Sequence, residues 1–405
     1  MFIPCNIPFN QERKVFFMKR FTGLLLCAIL LAALFTAPAS AASSVFYTAG
    51  ELFTDRDLQQ TADLTDAVRY TVTDGQDILI SSAGVYVLTG TANDVTVTVE
   101  AGKDDKVQLV LDGVTVTNAD FPAIYVKSAD KVFVTVSSDS SLSVTGTFRA
   151  DGSTGTDGVI FSKTDLTLNG TAALTISSTK NGIAGKDDIR ITGGTYLINA
   201  DSKAIEANDS IRIAEGTLNL TAGTDGLHSE NGEDAAKGFV YISGGSLTIS
   251  ARDDGIHGSS VVQVDGGTQN IRAAEGIEGT FIQINGGTLS IQSSDDGFNA
   301  ARKSDAYTPT IEINDGDITV VMGGGDTDGI DANGNIVVNG GIIRVTGNST
   351  FDYDGTAEYK GGTIIVNGQQ VSSIPNQMAG GRGGFGGHGG SGGRGDGWRG
   401  GRGGW

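Results

Sequence analysis

Cysteine is almost absent from this chain of 405 residues: its two cysteines, Cys5 and Cys27, both precede Ala41. Residues 1–41 are typical of a signal peptide that is removed on export, so we expect a mature chain without cysteine. Disulfides, thiolate metal sites and a thiol nucleophile are then excluded. Any metal must be held by oxygen or imidazole ligands.

The signal-peptide prediction rests on three features in order. Met18-Lys-Arg is followed by an apolar stretch at residues 22–35 and by Ala39-Ser-Ala41, which predicts cleavage after Ala41. Met18 is an alternative translation start. A transmembrane helix is the alternative interpretation, but the apolar stretch is short and is followed by small residues, as at a cleavage site. We therefore expect a secreted or cell-surface protein with no membrane span in the mature chain.

Basic residues are scarce. The formal charge is −19, and both ends of the chain carry net positive charge, so the part between them is more acidic still. Such a body repels nucleic acid and anionic lipid and concentrates cations around itself. A nucleic-acid partner is not expected.

Helical periodicity is missing from the repeats as well. Short runs of alternating apolar and polar residues are separated by Gly-Gly or Asp-Gly pairs, which indicates short strands joined by tight turns. The second glycine recurs at intervals of 20 to 22 residues, lengthened to 29, 29 and 25 where loops are inserted, at Gly194, Gly216, Gly245, Gly267, Gly287, Gly316, Gly341 and Gly362. The pattern predicts an all-β parallel β-helix (solenoid) of about 20–22 residues per coil.

Composition divides the chain further. Residues 42–76, with a weak helical pattern around Leu58 to Tyr70, are predicted to be a linker or a cap over the first coil. The solenoid is predicted at residues 77–371. Residues 372–405, rich in Gly and Arg, are predicted to be a disordered tail, with the cell wall as one candidate partner.

Two columns of polar residues follow from stacking the repeats. Equivalent positions of neighbouring coils lie about 4.7–4.9 Å apart. The first column, before a recurring glycine, is Asp157, Asn181, Lys203, Asp225, Asp254, Glu275, Asp296, Asp328 and Asp354. The second column, two positions after that glycine, is Ala184, Glu206, His228, His257, Glu278, Asn299, Asp331 and Ala357. Because the apolar residue between the columns points inward, the second column should point outward.

Turn chemistry alone would explain Asp-Gly pairs, with the aspartate bonded to backbone and the glycine at positive φ. It does not explain why acidic residues recur in both columns. Like charges 4 Å apart cost about 1 kcal/mol in water and about 4 at an effective dielectric of 20, so cations are expected among them. Calcium takes six to eight oxygen ligands of this kind. The predicted calcium ligands are Asp253, Asp254, Glu275, Glu278, Asp295, Asp296, Asp326, Asp328 and Asp331, and solvated turn acids are the alternative.

Several repeated phrases resemble a known family. Gly-Gly-Thr-Leu-x-Ile, Asp-Asp-Gly-Ile-His-Gly and the segment at residues 324–335 are similar to secreted bacterial carbohydrate-binding β-helix proteins, described as binding cellulose and acidic pectin-type glycans. The resemblance covers residues 77–371. It implies a right-handed, pectate-lyase-like β-helix that carries calcium, with Asp253-Asp254, Asp295-Asp296 and Asp328 near the ions.

The leading hypothesis is therefore a non-catalytic, calcium-dependent polysaccharide-binding protein. The residues predicted to contact the glycan are Glu206, Asp225, His228, His257 and Asn299. A calcium-dependent pectate-type lyase is an alternative, with Lys203 as the candidate catalytic base because it is the lysine inside the column. A structural surface adhesin is a second alternative.

Overall fold

The computed structural model describes residues 46–324 and 327–376. The predicted signal peptide, the Gly/Arg-rich segment from residue 377 onward and Asp326 lie outside the described residues. Among those described, every pair of strands is parallel except the last, where Thr363–Val366 meets Gln369–Val371. One short helix, Ala49–Leu52, precedes them. The all-β solenoid architecture is as predicted.

The strands form three ladders, in which each strand pairs with its equivalent in the next coil. Ladder 1 contains Val68–Thr71, Gly84–Asn93, Lys106–Asn118, Lys131–Ser138, Asp165–Gly170, Asp188–Ile191, Ser210–Ile213, Phe239–Ile242, the ends of Asp254–Val264 and Glu275–Ile284, Thr310–Ile313, Asn335–Val338 and Ala357–Tyr359.

Ladder 2 begins with the ends of Gly84–Asn93 and Lys106–Asn118. It continues through Ser140–Val144, Ala173–Ser178, Thr195–Ala200, Thr217–Ala222, Ser246–Ser250, Thr268–Ala273, Thr288–Ser293, Asp317–Met322, Ile342–Thr346, Thr363–Val366 and Gln369–Val371.

Ladder 3 carries the predicted polar columns. It contains Ile78–Ile80, Val97–Glu100, Ile124–Ser128, Gly158–Ser162, Asn181–Gly185, Ile205–Ala207, Leu227–Ser229, the beginnings of Asp254–Val264 and Glu275–Ile284, Phe298–Ala300, Asp328–Ala332 and Ser349–Tyr353.

The core lies between the three ladders and is built from stacked apolar rows. In ladder 3 one such row is fully buried: Ile183, Ile205, Leu227, Ile256, Ile277, Phe298, Ile330 and Phe351. Burying each of these side chains contributes about 1.5–3 kcal/mol. Because strand side chains alternate between faces, the buried row directs its neighbours outward and fixes the position of the second column.

The predicted Gly-Gly turns are confirmed. The turn glycine of each coil has a φ between +78° and +121°, both where it follows another glycine and where it follows Glu215 or Asp315. This left-handed region is open to glycine at little cost, which explains why the pair recurs once per coil.

The segment before the solenoid differs from the prediction. Val68–Thr71 is a strand where the sequence suggested a helix, so the solenoid begins there rather than at residue 77. Residues 46–60, here called the strap, do not cover the first coil. They lie across the outer face of ladder 1, where Tyr47 bonds to Gln263 and the Gln60 amide donates to the carbonyl of Thr192.

None of the helices in the described residues has the length and apolarity needed to cross a membrane.

Candidate functional site

The second column exists on the outer face of ladder 3. Consecutive members pair in register from coil to coil, and their side chains are half-buried or buried. The pairs are Glu206 with His228, His228 with His257, His257 with Glu278, Glu278 with Asn299, and Asn299 with Asp331.

The first column lies beside it. Asp254 pairs in register with Glu275. Further along, the N–H of Gly276 donates to the carbonyl of Asp296 over 2.8 Å, and that of Gly297 to the carbonyl of Asp328 over 2.9 Å. In earlier coils the N–H of Gly182 donates to the carbonyl of Lys203, and that of Ala204 donates to the carbonyl of Asp225. The predicted ligands Asp254, Glu275, Glu278, Asp296, Asp328 and Asp331 therefore share one flank, whereas Asp253 and Asp295 are exposed at its rim.

Both ends of the columns were misaligned by the sequence analysis. Asp331 pairs with Asp352, and Asp328 with Ser349, so Asp354 is not a rung. Ala357 belongs to ladder 1, opposite Ile336. The last coil has no glycine before its inward Phe351. The repeat pattern of an acid followed by glycine therefore matched the next such pair, Asp354-Gly355, which is not the equivalent position.

Asp352 was missed for this reason, although the alternation of polar and apolar residues around Phe351 marks it. At the other end, Gly158 pairs with Asn181, which leaves Asp157 one position outside the predicted column.

The glycines between the columns are needed for a different reason than turn chemistry. Gly276 lacks a positive φ, and a Cβ there would lie 2.3 Å from the carbonyl oxygen of Gly297 and 2.4 Å from a methyl of Ile291. Gly255, Gly297 and Gly329 meet the next coil similarly. The turn explanation for these glycines is wrong: they are there because neighbouring coils approach too closely for a side chain.

One half of the site carries its own cations. Nζ of Lys203 lies 2.6 Å from Glu206, and Nζ of Lys303 lies 2.6 Å from Glu278. Nδ1 of His257 lies 2.6 Å from Glu278 and 3.0 Å from Asp254. Burial would raise the pKa of Glu278, but His257 and Lys303 outweigh it and lower that pKa to about 2.

The ion pair of Lys203 bears on its predicted role as a base. Its amine is engaged by a carboxylate of the neighbouring position, whereas a proton-abstracting base needs its lone pair free.

The other half lacks such partners. In the described part of the chain no ion pair reaches Glu275, Asp296, Asp328, Asp331 or Asp352, which we call the uncompensated cluster. Burial, then Asp296, Asp352 and Asp328, raise the pKa of Asp331 to about 7. Burial raises the pKa of Glu275 to about 7 despite a hydrogen bond from Asn299, and that of Asp296 to about 6 despite one from the backbone of Asp328. Repulsion among neighbouring carboxylates contributes to each of these raised pKa values, and a bound cation or a proton would relieve it.

The histidines are not free surface groups. Their rings stack with centroids 4.5 Å apart and planes 13° apart. Each ring therefore covers one face of the other.

A curated relative from Acetivibrio thermocellus, described as a carbohydrate-binding domain-containing protein, is 34% identical over 130 residues. That alignment covers 31% of this chain and 46% of the relative, so the chain spans about half of that relative's length.

A solved structure described as a polysaccharide lyase-like protein from C. thermocellum, a gadolinium derivative, is 28% identical. It matches 55% of this chain and 93% of its own with a TM-score of 0.47.

The family described as carbohydrate-binding domain-containing protein matches residues 74–280 and 277–372, which span the solenoid from near its first coil to its last. This chain, with its three-ladder solenoid and polar flank, therefore belongs to the carbohydrate-binding domain-containing protein family.

Proposed function

We propose that this protein is a non-catalytic polysaccharide-binding protein, secreted or held at the cell surface, whose binding flank is the outer face of ladder 3. Its solenoid is a right-handed β-helix with about 20–22 residues per coil. The family supports a polysaccharide ligand. A flank with polar groups at the strand spacing of about 4.7–4.9 Å suits an extended polymer chain.

The observation that carries the mechanism is the uncompensated cluster. Its members offer only carboxylate oxygens, which is the donor set calcium prefers. We therefore assign calcium to Glu275, Asp296, Asp328 and Asp331, with Asp352 beside them. Asp254 and Glu278, also predicted as ligands, already face His257 and Lys303, so their charge is balanced without an ion.

Calcium would decide which glycans bind. A chain of net charge −19 repels a polyanion such as polygalacturonate. A divalent ion held by protein carboxylates reverses the local charge and can bridge to a uronate carboxylate. A neutral glycan such as cellulose would need no such bridge.

The test is a pull-down on insoluble cellulose and on polygalacturonate, with calcium or with excess EDTA. We expect EDTA to abolish polygalacturonate binding and to leave cellulose binding. Polygalacturonate binding that persists in EDTA would overturn the calcium bridge. Failure to bind either polymer, with calcium present, would count against polysaccharide binding itself.

A variant pair locates the site. Asp331→Asn removes one charge from the cluster, and Asp104→Asn removes one from an exposed loop outside ladder 3. We expect only Asp331→Asn to weaken calcium-dependent binding. Equal loss in both variants would show an effect of overall charge rather than of the cluster.

Two further arms separate the alternatives. Absorbance near 235 nm should stay flat during incubation with pectate, and a rise that Lys203→Ala abolishes would establish the lyase. Removing residues 380–405 tests the proposed contact of that segment with the cell wall: wall binding should fall, whereas cellulose binding should not.

A further inference from the structure

A second kind of metal site is suggested by the histidine pair, which the proposed function does not use. His228 and His257 occupy adjacent rungs of the second column, paired in register and stacked. One ligand atom from each, together with one from Glu230, lie within 4.8 Å of one another. Two imidazoles and a carboxylate are the ligands of a divalent transition metal rather than of calcium.

A carboxylate of the first column lies beside Nδ1 of each ring. Nδ1 of His228 lies 2.8 Å from Oδ2 of Asp225, and Nδ1 of His257 lies 3.0 Å from Oδ2 of Asp254. A histidine that binds a metal through one nitrogen generally donates the other N–H to a carboxylate, which fixes the tautomer and raises the basicity of the ligand. Asp254 forms such a bond with His257, whereas Asp225 lies close to Nδ1 of His228 without a well-directed hydrogen bond.

The Nε2 nitrogens of the two rings are placed differently from Nδ1. His257 is 6% exposed, yet its Nε2 is buried with no hydrogen-bond partner among the described residues. Nε2 of His228 lies 3.4 Å from Oε2 of Glu230, whose side chain is 63% exposed. A buried nitrogen without a partner destabilises the fold, and a metal bond would supply the missing partner.

Without metal, the ring of His257 is a charged imidazole that bridges Asp254 and Glu278 through Nδ1. In that state Nε2 of His257 carries a proton, and this N–H stays buried and unsatisfied. Burial would lower the pKa of His257, but Asp254 and Glu278 outweigh it and raise that pKa to about 9. Zinc must therefore displace the Nε2 proton when it binds.

We propose that His228 and His257, through Nε2, together with Glu230, bind a transition-metal ion of the zinc class at a site distinct from the calcium cluster. Zn–N bonds of about 2.0–2.1 Å require both Nε2 atoms to point at one ion, so the edges of the two stacked rings must tilt towards each other on binding. The fourth position is open to water or to a ligand.

The chain offers a matched control, because it contains three histidines and the third is His388. The full-length protein, saturated with calcium, is titrated with Zn²⁺ and followed by the ¹⁵N resonances of its histidines. We expect Nε2 of His228 and His257 to shift together at one equivalent while Nδ1 of each stays protonated. A response confined to His388 would overturn the proposal.

Variants give a second measurement by calorimetry. His257→Gln and His228→Gln should abolish saturable Zn²⁺ binding, whereas His388→Gln should leave it unchanged. Asp225→Asn should weaken it about 10- to 100-fold, as expected for a residue that orients a ligand. Glu230→Gln, at an exposed side chain, tests the third ligand without endangering the fold. Unchanged Zn²⁺ affinity in both Glu230→Gln and His228→Gln would refute the site.

Discussion

At the scale of single residues, glycine has two separate tasks in this solenoid. The second glycine of each Gly-Gly turn supplies a positive φ, whereas the glycines between the polar columns allow close approach of neighbouring coils. The two sets look alike in sequence, since both follow or precede polar residues. Only the packing distinguishes them.

Gly276→Ala should destabilise the fold by about 1–3 kcal/mol, the cost of forcing extra atoms into a packed interior. Its Cβ would collide with the backbone of the next coil. Urea unfolding followed by circular dichroism measures the change. Gly155→Ala, where a Cβ meets nothing within 4 Å, is the control and should change the free energy of unfolding little. Equal effects at both positions would contradict the close-approach explanation.

Asp57 is a second residue whose role is clear only in three dimensions. It is 0% exposed and lies 2.6 Å from Nζ of Lys131, with further hydrogen bonds from Thr167 and Thr54. Burial would raise its pKa, but these partners lower it to about 2.

The pH dependence of stability follows from that pKa. As pH falls, Asp57 in the unfolded chain takes up a proton near pH 4, before the folded protein does. Its contribution, about 2 kcal/mol, is therefore present above pH 4 and lost as pH falls from about 4 to about 2. Denaturant unfolding across this range measures it. Asp57→Asn should be less stable at neutral pH and should lose this part of the acid sensitivity; an unchanged acid profile would contradict the assignment.

At the scale of elements, the strap joins distant coils along ladder 1. The ring of Tyr47 stacks on Phe239 at 4.2 Å, and Phe46 meets the edge of Phe281 at 4.8 Å. Further along, Phe53 packs in the same apolar cluster as Tyr241. The strap contains one helical turn and so depends on these contacts rather than on its own hydrogen bonds.

Phe53→Ala should detach the strap by removing a side chain that is 6% exposed. The expected loss is about 3–5 kcal/mol if the fold unfolds as one unit. Hydrogen exchange should show increased rates at residues 46–60 and at the outer face of ladder 1, with ladder 3 protected. Leu64→Ala, at a side chain 40% exposed, is the control. Uniformly faster exchange in ladder 3 would show that the strap and the binding flank are coupled.

The sequence predicted the ladders well and the strap poorly. Strand alternation and the Gly-Gly period are local signals, and stacking converts them directly into register, so Glu206 to Asp331 fall on one flank as expected. Asp352 was lost because Phe351 follows no glycine, and the strap was misassigned because its partners are far away in the chain. The sequence also could not predict which acidic residues form ion pairs, because Lys303 reaches Glu278 from an inserted loop.

At the scale of the whole molecule, repulsion on ladder 3 opposes the stability of the stacked core. The uncompensated cluster concentrates that repulsion in the later coils, and the proposed calcium would relieve it.

Calcium removal should therefore lower the melting temperature. A ligand that binds only the folded state stabilises it by about 2.7 kcal/mol at 100 times its dissociation constant. Differential scanning calorimetry with calcium and with EDTA measures the shift, and Asp331→Asn should reduce it. A melting temperature that is the same with and without EDTA would contradict the proposed calcium.

The strap also constrains the order of assembly. Tyr47 emerges from the ribosome long before its partner Gln263, which is 216 positions later in the chain. Because its aromatic rings have nothing to pack on until those late strands exist, strap closure must follow construction of the coils it crosses. An incompletely synthesised chain would thus expose apolar aromatic rings near its N-terminal end. A chaperone or protease could use these rings to distinguish it from the folded protein.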